Sequence, residues 1–137
     1  MTRDLANNTT RSATRLRWLR ILGGAVLLEL VLFIALVPPL VMLGPDTVVP
    51  YVYPACLIFG FGVTWWILRK VQDRPVMHGT LIGIVATAIY ILLALPSPGG
   101  IQSVITMYGV TGFIAGNALR IIGCIAGGYA RLNRSRN

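Results

Sequence analysis

Two ionisable side chains lie deep inside apolar runs: Glu29 within Ile21–Leu43, and Arg120 within Ile101–Gly128. The chain has 12 Lys and Arg and 4 Asp and Glu, and hydropathy places only these two at membrane depth. A charge there costs roughly 2.5–3.5 kcal/mol on insertion scales, so such a group is paired, hydrated or functional. A carboxylate and a guanidinium can neutralise each other. Alternatively, the carboxylate can bind a proton or cation while the arginine modulates it. Glu29 is nine residues past Arg20 and Arg120 is eleven before Arg131, which puts them about 14 Å and 17 Å along their helices from the same membrane face. Opposite charge and matching depth predict a Glu29–Arg120 ion pair.

The residues around Arg120 give it a direction. Gly109, Gly112, Gly116, Gly123 and Gly127 project within a wedge of about 60° on a continuous helix. Gly112-x-x-x-Gly116 and Gly123-x-x-x-Gly127 are spacings that let helix backbones approach closely. Arg120 falls at the edge of that wedge and so points at a neighbouring helix, with Asn117 about 60° further round and able to share the polar contact. Gly79-x-x-x-Gly83 repeats the close-approach spacing in the third run, with Ala86, Thr87 and Tyr90 near the same face. His78, just after Arg74-Pro75, either titrates in a proton path or serves as a cap near the headgroups.

Four apolar runs must position these groups: 21–43, 51–68, 76–95 and 101–128. Each is near or above the ~20 residues that cross a ~30 Å hydrocarbon core. Mean hydropathy is +0.74 and charged residues make up 12 %, against ~25 % in soluble domains. The expected fold is an all-α integral membrane protein, one membrane domain formed by an antiparallel bundle of four transmembrane helices. Short connections at Arg69–Pro75 and Pro96–Gly100 force an up-down-up-down arrangement, which normally sets span one beside span four. Pro38-Pro39 predicts that the first helix either kinks there, as helices that shape a binding cavity do, or ends at Val37 before an extended loop that Gly44-Pro45-Asp46 and Pro50 continue, the second being favoured. Residues 1–15 are polar, without an apolar period, and are expected to form a flexible tail. Span one is longer than a signal-peptide core and lacks a clear cleavage site, so it is expected to be retained.

The net charge of +8 is distributed for a membrane, not for nucleic acid. Arg3, Arg11, Arg15, Arg17 and Arg20 precede span one; Arg69, Lys70 and Arg74 separate spans two and three; Arg131, Arg134 and Arg136 follow span four. The other two connections carry no basic residue, and Asp46 is their only charge. This positive-inside pattern predicts a multi-pass protein of the cell inner membrane with both termini cytoplasmic. The basic segments favour anionic headgroups by about 1 kcal/mol per residue. Trp18, Trp65, Trp66 and Tyr129 mark the inner interface, and Tyr51 and Tyr53 the outer. Asn7-Asn8-Thr9, Asn8-Thr9-Thr10 and Asn133-Arg134-Ser135 match a glycosylation pattern but fall on the predicted cytoplasmic side.

Cys56 and Cys124 come out about 12 Å apart along the bundle axis, too far for a disulfide. No metal-ligand spacing, phosphate-cradling loop or nucleophile with a neighbouring base is present in the sequence, so no cofactor, metal or catalytic activity is expected.

Arg74-Pro75-Val76-Met77-His78-Gly79 resembles the start of the third span of small uncharacterised four-span bacterial membrane proteins. Ala118-Leu119-Arg120-x-x-Gly123 with Gly127-Gly128 and Arg131 resembles their last span. That likeness covers residues 74–131 and implies an arginine held in that helix. Leu28-Glu29-Leu30 resembles the membrane glutamate of small multidrug-resistance transporters, although Arg120 and the strong charge bias depart from their pattern. Leu16-Arg17-Trp18-Leu19-Arg20 with Gly23-Gly24 is similar to the entry of GtrA-like flippase subunits, whose later spans this chain does not follow. The leading expectation is a non-catalytic structural, assembly or lipid-interacting subunit, with a second copy or another membrane protein as partner. The alternative is a small proton- or cation-coupled transporter using Glu29.

Overall fold

The computed structural model describes residues 17–134. The polar tail 1–15, with two of the Asn-x-Thr matches, and Arg136 lie outside the described residues. Among the described residues four helices form: α1 (Trp18–Leu43), α2 (Pro45–Ile67), α3 (Pro75–Ala94) and α4 (Gly100–Arg134), with a 3₁₀ turn at Leu68–Lys70. All four are long and apolar enough to cross a membrane, and no strand occurs among the described residues.

Two boundaries differ from the sequence expectation. α1 does not stop at Val37: it runs through Pro38 and Pro39 to Leu43, and Gly44 alone joins it to α2. Gly44 has φ 81°, a left-handed conformation that costs glycine little. Pro45 then opens α2, where its missing N–H removes nothing that the first turn needs. The Gly44–Pro50 segment is therefore mostly helix rather than loop. The second difference is in α4, which breaks at Gly109 (φ 72°, ψ 160°), a backbone region essentially reserved for glycine.

Close packing decides which helices are neighbours. α4 lies against α2 and α3, and α1 lies against the same two helices from the other side. Span one is thus not beside span four; α1 and α4 occupy opposite corners of the bundle. The cause is the smooth surface of α4. A Cβ at Gly123 would meet the Leu57 carbonyl oxygen, and one at Gly127 would lie 2.6 Å from the Phe61 oxygen, both on α2. One at Gly128 would lie 2.7 Å from the Pro75 oxygen of α3, and Gly79 and Gly83 of α3 meet the Cys124 carbonyl oxygen and the Ile121 Cα of α4. With backbones this close on two sides, α4 takes both seams. On α1, by contrast, a Cβ on Gly24 would meet only side chains, the nearest atom being Ile82 Cδ1 of α3 at 3.0 Å.

The glycine wedge is consequently smaller than its spacing implies. Gly109 and Gly116 have no neighbour within 4 Å of a Cβ position, whereas Gly112 abuts the Tyr53 hydroxyl. The break at Gly109 interrupts the helical register on which the wedge depends. Gly116 faces open space.

The closely packed core occupies the half of the bundle where α1 begins and α4 ends. It is built from Ile21, Ala25, Leu28 and Leu32 of α1, Cys56 of α2, Ile82 and Ala86 of α3, and Cys124 of α4, closed by Leu68 and Val71. Toward the two hairpins, the buried hydrophobic residues are Val48 and Ala94. Arg131 donates from Nε to the Leu68 carbonyl at 3.2 Å, capping the end of α2 from α4.

Candidate functional site

Where close packing gives way to the looser half, four helices contribute to one polar cluster. Glu29 comes from α1, one residue after buried Leu28 on the face turned into the bundle. Arg120 comes from α4, one turn before Gly123 and Cys124, where that helix is locked against α2 and α3. Arg120 Nη1 lies 3.1 Å from Glu29 Oε1, and the two side chains are 6 % and 11 % exposed. Because α1 and α4 are opposite corners, the pair spans the bundle instead of lining a seam. A guanidinium on its long stem can bridge that gap.

Arg120 has further partners. Asn117 Oδ1 accepts from its Nη1 at 3.5 Å, while the Asn117 amide donates to the Phe113 carbonyl at 2.9 Å. The guanidinium carbon also stands 4.8 Å from the centre of the Tyr90 ring of α3, a cation–π contact in a desolvated setting. Tyr90 in turn packs on Phe113 with centroids 6.2 Å apart. The Cys56 thiol of α2 adjoins the same guanidinium. Charge from α1, thiol from α2, aromatic face from α3 and amide from α4 itself thus converge on Arg120.

The approach of the two charges is Coulombic more than directional. Glu29 Oε1 makes no hydrogen bond despite its short distance to Arg120, and Arg120 Nε has no partner among the described residues. A buried pair with incompletely satisfied polar atoms contributes little net stability, yet breaking it by removing one member is strongly unfavourable.

His78 does not join this cluster. It is buried at the opposite end of α3, 3 % exposed. Its Nδ1 lies 3.0 Å from the Arg74 carbonyl oxygen and its Nε2 lies 3.4 Å from the Arg17 backbone nitrogen. A ring that donates from Nδ1 and accepts at Nε2 satisfies both contacts at once. His78 therefore ties the start of α1 to the connection before α3.

Sequence reasoning brought Glu29, Arg120 and Asn117 to the same place but left out two contributors. Tyr90 stands seven residues, two turns, after Gly83 and shares its face, so helical spacing held the signal. Cys56 carried no signal beyond its depth. Both cysteines are free and buried. Among the aromatic residues read as interfacial, Trp66 and Trp65 lie under Arg69 and Arg134 at 5.0 Å and 5.9 Å. Trp18, Tyr51 and Tyr129 are exposed, while Tyr53 turns inward onto Gly112.

Among the described residues no group of three or more His, Cys, Asp or Glu is placed to hold a metal ion. Comparison of the chain with protein-family models, with curated proteins and with solved structures finds no match.

Proposed function

We propose that the chain is a small, non-catalytic multi-pass protein of the cell inner membrane, with both termini cytoplasmic, acting as a structural, assembly or lipid-interacting subunit. The observation that carries this reading is the Glu29–Arg120 contact at 3.1 Å. The two groups at membrane depth are spent on each other, which removes the free charge a carrier would use. Orientation follows from the basic residues at the termini and the α2–α3 connection, against hairpins whose only charge is Asp46. The partners expected for such a subunit are anionic lipid headgroups and a second copy of the chain or another membrane protein.

A second reading keeps support from one observation. The pair sits at the floor of the loosely packed half and lacks directed hydrogen bonding at Glu29 Oε1. Its members are therefore separable, and a proton- or cation-coupled transporter would use Glu29 as the exchanging group. Reconstitution into liposomes under a pH gradient separates the two. The subunit reading predicts no proton flux above that of empty liposomes; flux that vanishes in Glu29→Gln overturns it.

A further inference from the structure

We infer that the end of the bundle where α1 begins and α4 ends holds a seat for one aminophospholipid headgroup, its phosphate on Arg17 and Lys70 and its ammonium on Asp73. The inference rests on the reading that the helices span a bilayer. It does not depend on the role of the Glu29–Arg120 pair.

A cleft of about 80 Å³ opens there, lined by Arg17, Lys70, Val71, Gln72, Asp73 and His78. A water-sized position takes roughly 10–15 Å³, so the cleft has room for about five to eight such positions, the scale of a phosphoethanolamine group. Its inner wall is built and not incidental. His78 and Val71 are buried, and the His78 ring fixes the Arg17 backbone on one side and the Arg74 carbonyl on the other. Arg17, Lys70, Gln72 and Asp73 form the exposed rim.

The charges on that rim select the ligand. Among the described residues, the salt bridge is Glu29–Arg120, and Arg17, Lys70 and Asp73 form none with each other. Two cations and one carboxylate, held apart around one cleft, complement a phosphate diester carrying a primary amine. A purely anionic headgroup would leave Asp73 opposed to it. The parallel helices α1 and α3 both begin at this cleft, and neither has an acidic residue in its first turn. Their positive dipole ends reinforce the phosphate side. Exposed Trp18 adjoins Arg17 at the level where aromatic residues meet headgroups.

The test is lipid retention by native mass spectrometry of the full chain, purified in mild detergent. The protein is exposed to equal amounts of phosphatidylethanolamine, phosphatidylglycerol and phosphatidylcholine, with and without soluble phosphoethanolamine. One retained phosphatidylethanolamine per chain is expected. Retention should fall about fivefold for each cation removed in Arg17→Gln and Lys70→Gln. Lys70→Arg should retain lipid like the unsubstituted chain. Asp73→Asn should abolish the preference for phosphatidylethanolamine over phosphatidylglycerol while keeping total lipid. All four variants are counted only where thermal unfolding matches the unsubstituted protein, which their exposed side chains allow. Lipid retained without headgroup preference, or a preference unchanged in Asp73→Asn, overturns the inference. Displacement of lipid by soluble phosphoethanolamine at equal concentration assigns the cleft to a water-soluble ligand and overturns the lipid source. An unsubstituted chain recovered free of membranes overturns both this inference and the membrane reading beneath it.

Discussion

Replacing Glu29 with Gln leaves the guanidinium of Arg120 buried without its counter-charge. Removing one member of a buried pair costs about 3–5 kcal/mol. Two contacts soften the loss on this side: Asn117 Oδ1 at 3.5 Å and the Tyr90 ring at 4.8 Å both remain with Arg120. A desolvated cation–π contact supplies up to about 2 kcal/mol, so Glu29→Gln belongs at the lower end, near 3 kcal/mol. Arg120→Gln strands the Glu29 carboxylate and also removes the anchor that holds Asn117 and Tyr90 together. It belongs at the upper end, near 5 kcal/mol. In the double variant two neutral amides replace two charges, and neither is left uncompensated. Contacting residues couple by 0.5–3 kcal/mol, and the double variant is expected to recover about 2–3 kcal/mol relative to the sum of the singles. Folded yield in detergent, followed by far-UV circular dichroism across a dodecyl sulfate titration, reads all four proteins on one scale. A double variant whose loss equals the sum of the two single losses refutes the pairing argument.

Other expectations follow from the seams and the ends of the bundle. Gly123→Ala and Gly79→Ala set a methyl group against the Leu57 and Cys124 carbonyl oxygens and should each lower stability by about 1–3 kcal/mol. Gly116→Ala meets nothing within 4 Å and should be neutral or stabilising by up to about 1 kcal/mol, measured in the same titration. Gly109→Ala has equal room but a glycine-only backbone conformation, so a loss of about 1–3 kcal/mol is expected there from strain alone. His78→Ala gives up contacts to Arg17 and Arg74 and should cost about 1–2 kcal/mol, with faster amide exchange confined to the starts of α1 and α3. Asp46→Cys should react with an impermeant thiol reagent added outside intact cells, and Asp73→Cys only after the inner membrane is opened. The reverse pattern would invert the topology.

Much of this arrangement can be read from the chain because hydropathy and charge are properties of composition. The four apolar runs and the alternation of basic and uncharged connections need no tertiary information. The depth match of Glu29 and Arg120 needs only the helical rise. Helix neighbours are another matter. Loop length suggests α1 beside α4, but the choice was made by which glycines meet which backbones: Gly123 and Gly127 on α2, and Gly79, Gly83 and Gly128 at the α3–α4 seam. Spacing alone cannot separate these from Gly116, which has the same period and touches nothing. Proline misled in a related way. Pro38 and Pro39 each lack a donor, yet α1 continues to Leu43, as prolines are tolerated inside long apolar helices. Tyr90 shares the face of Gly83 by helical spacing, whereas Cys56 joins the site only because opposed helices bring it to Arg120, a three-dimensional fact without a linear signature.

The central claim is that Glu29 and Arg120 hold each other across the bundle in a lipid bilayer. Solid-state nuclear magnetic resonance on protein in liposomes measures this directly, through the dipolar coupling between the Arg120 guanidinium nitrogens and the Glu29 carboxyl carbon. A strong coupling, matching the 3.1 Å separation of Nη1 and Oε1, is the predicted result, and it should disappear in Glu29→Gln. A coupling no stronger than that of the exposed arginines would contradict the account.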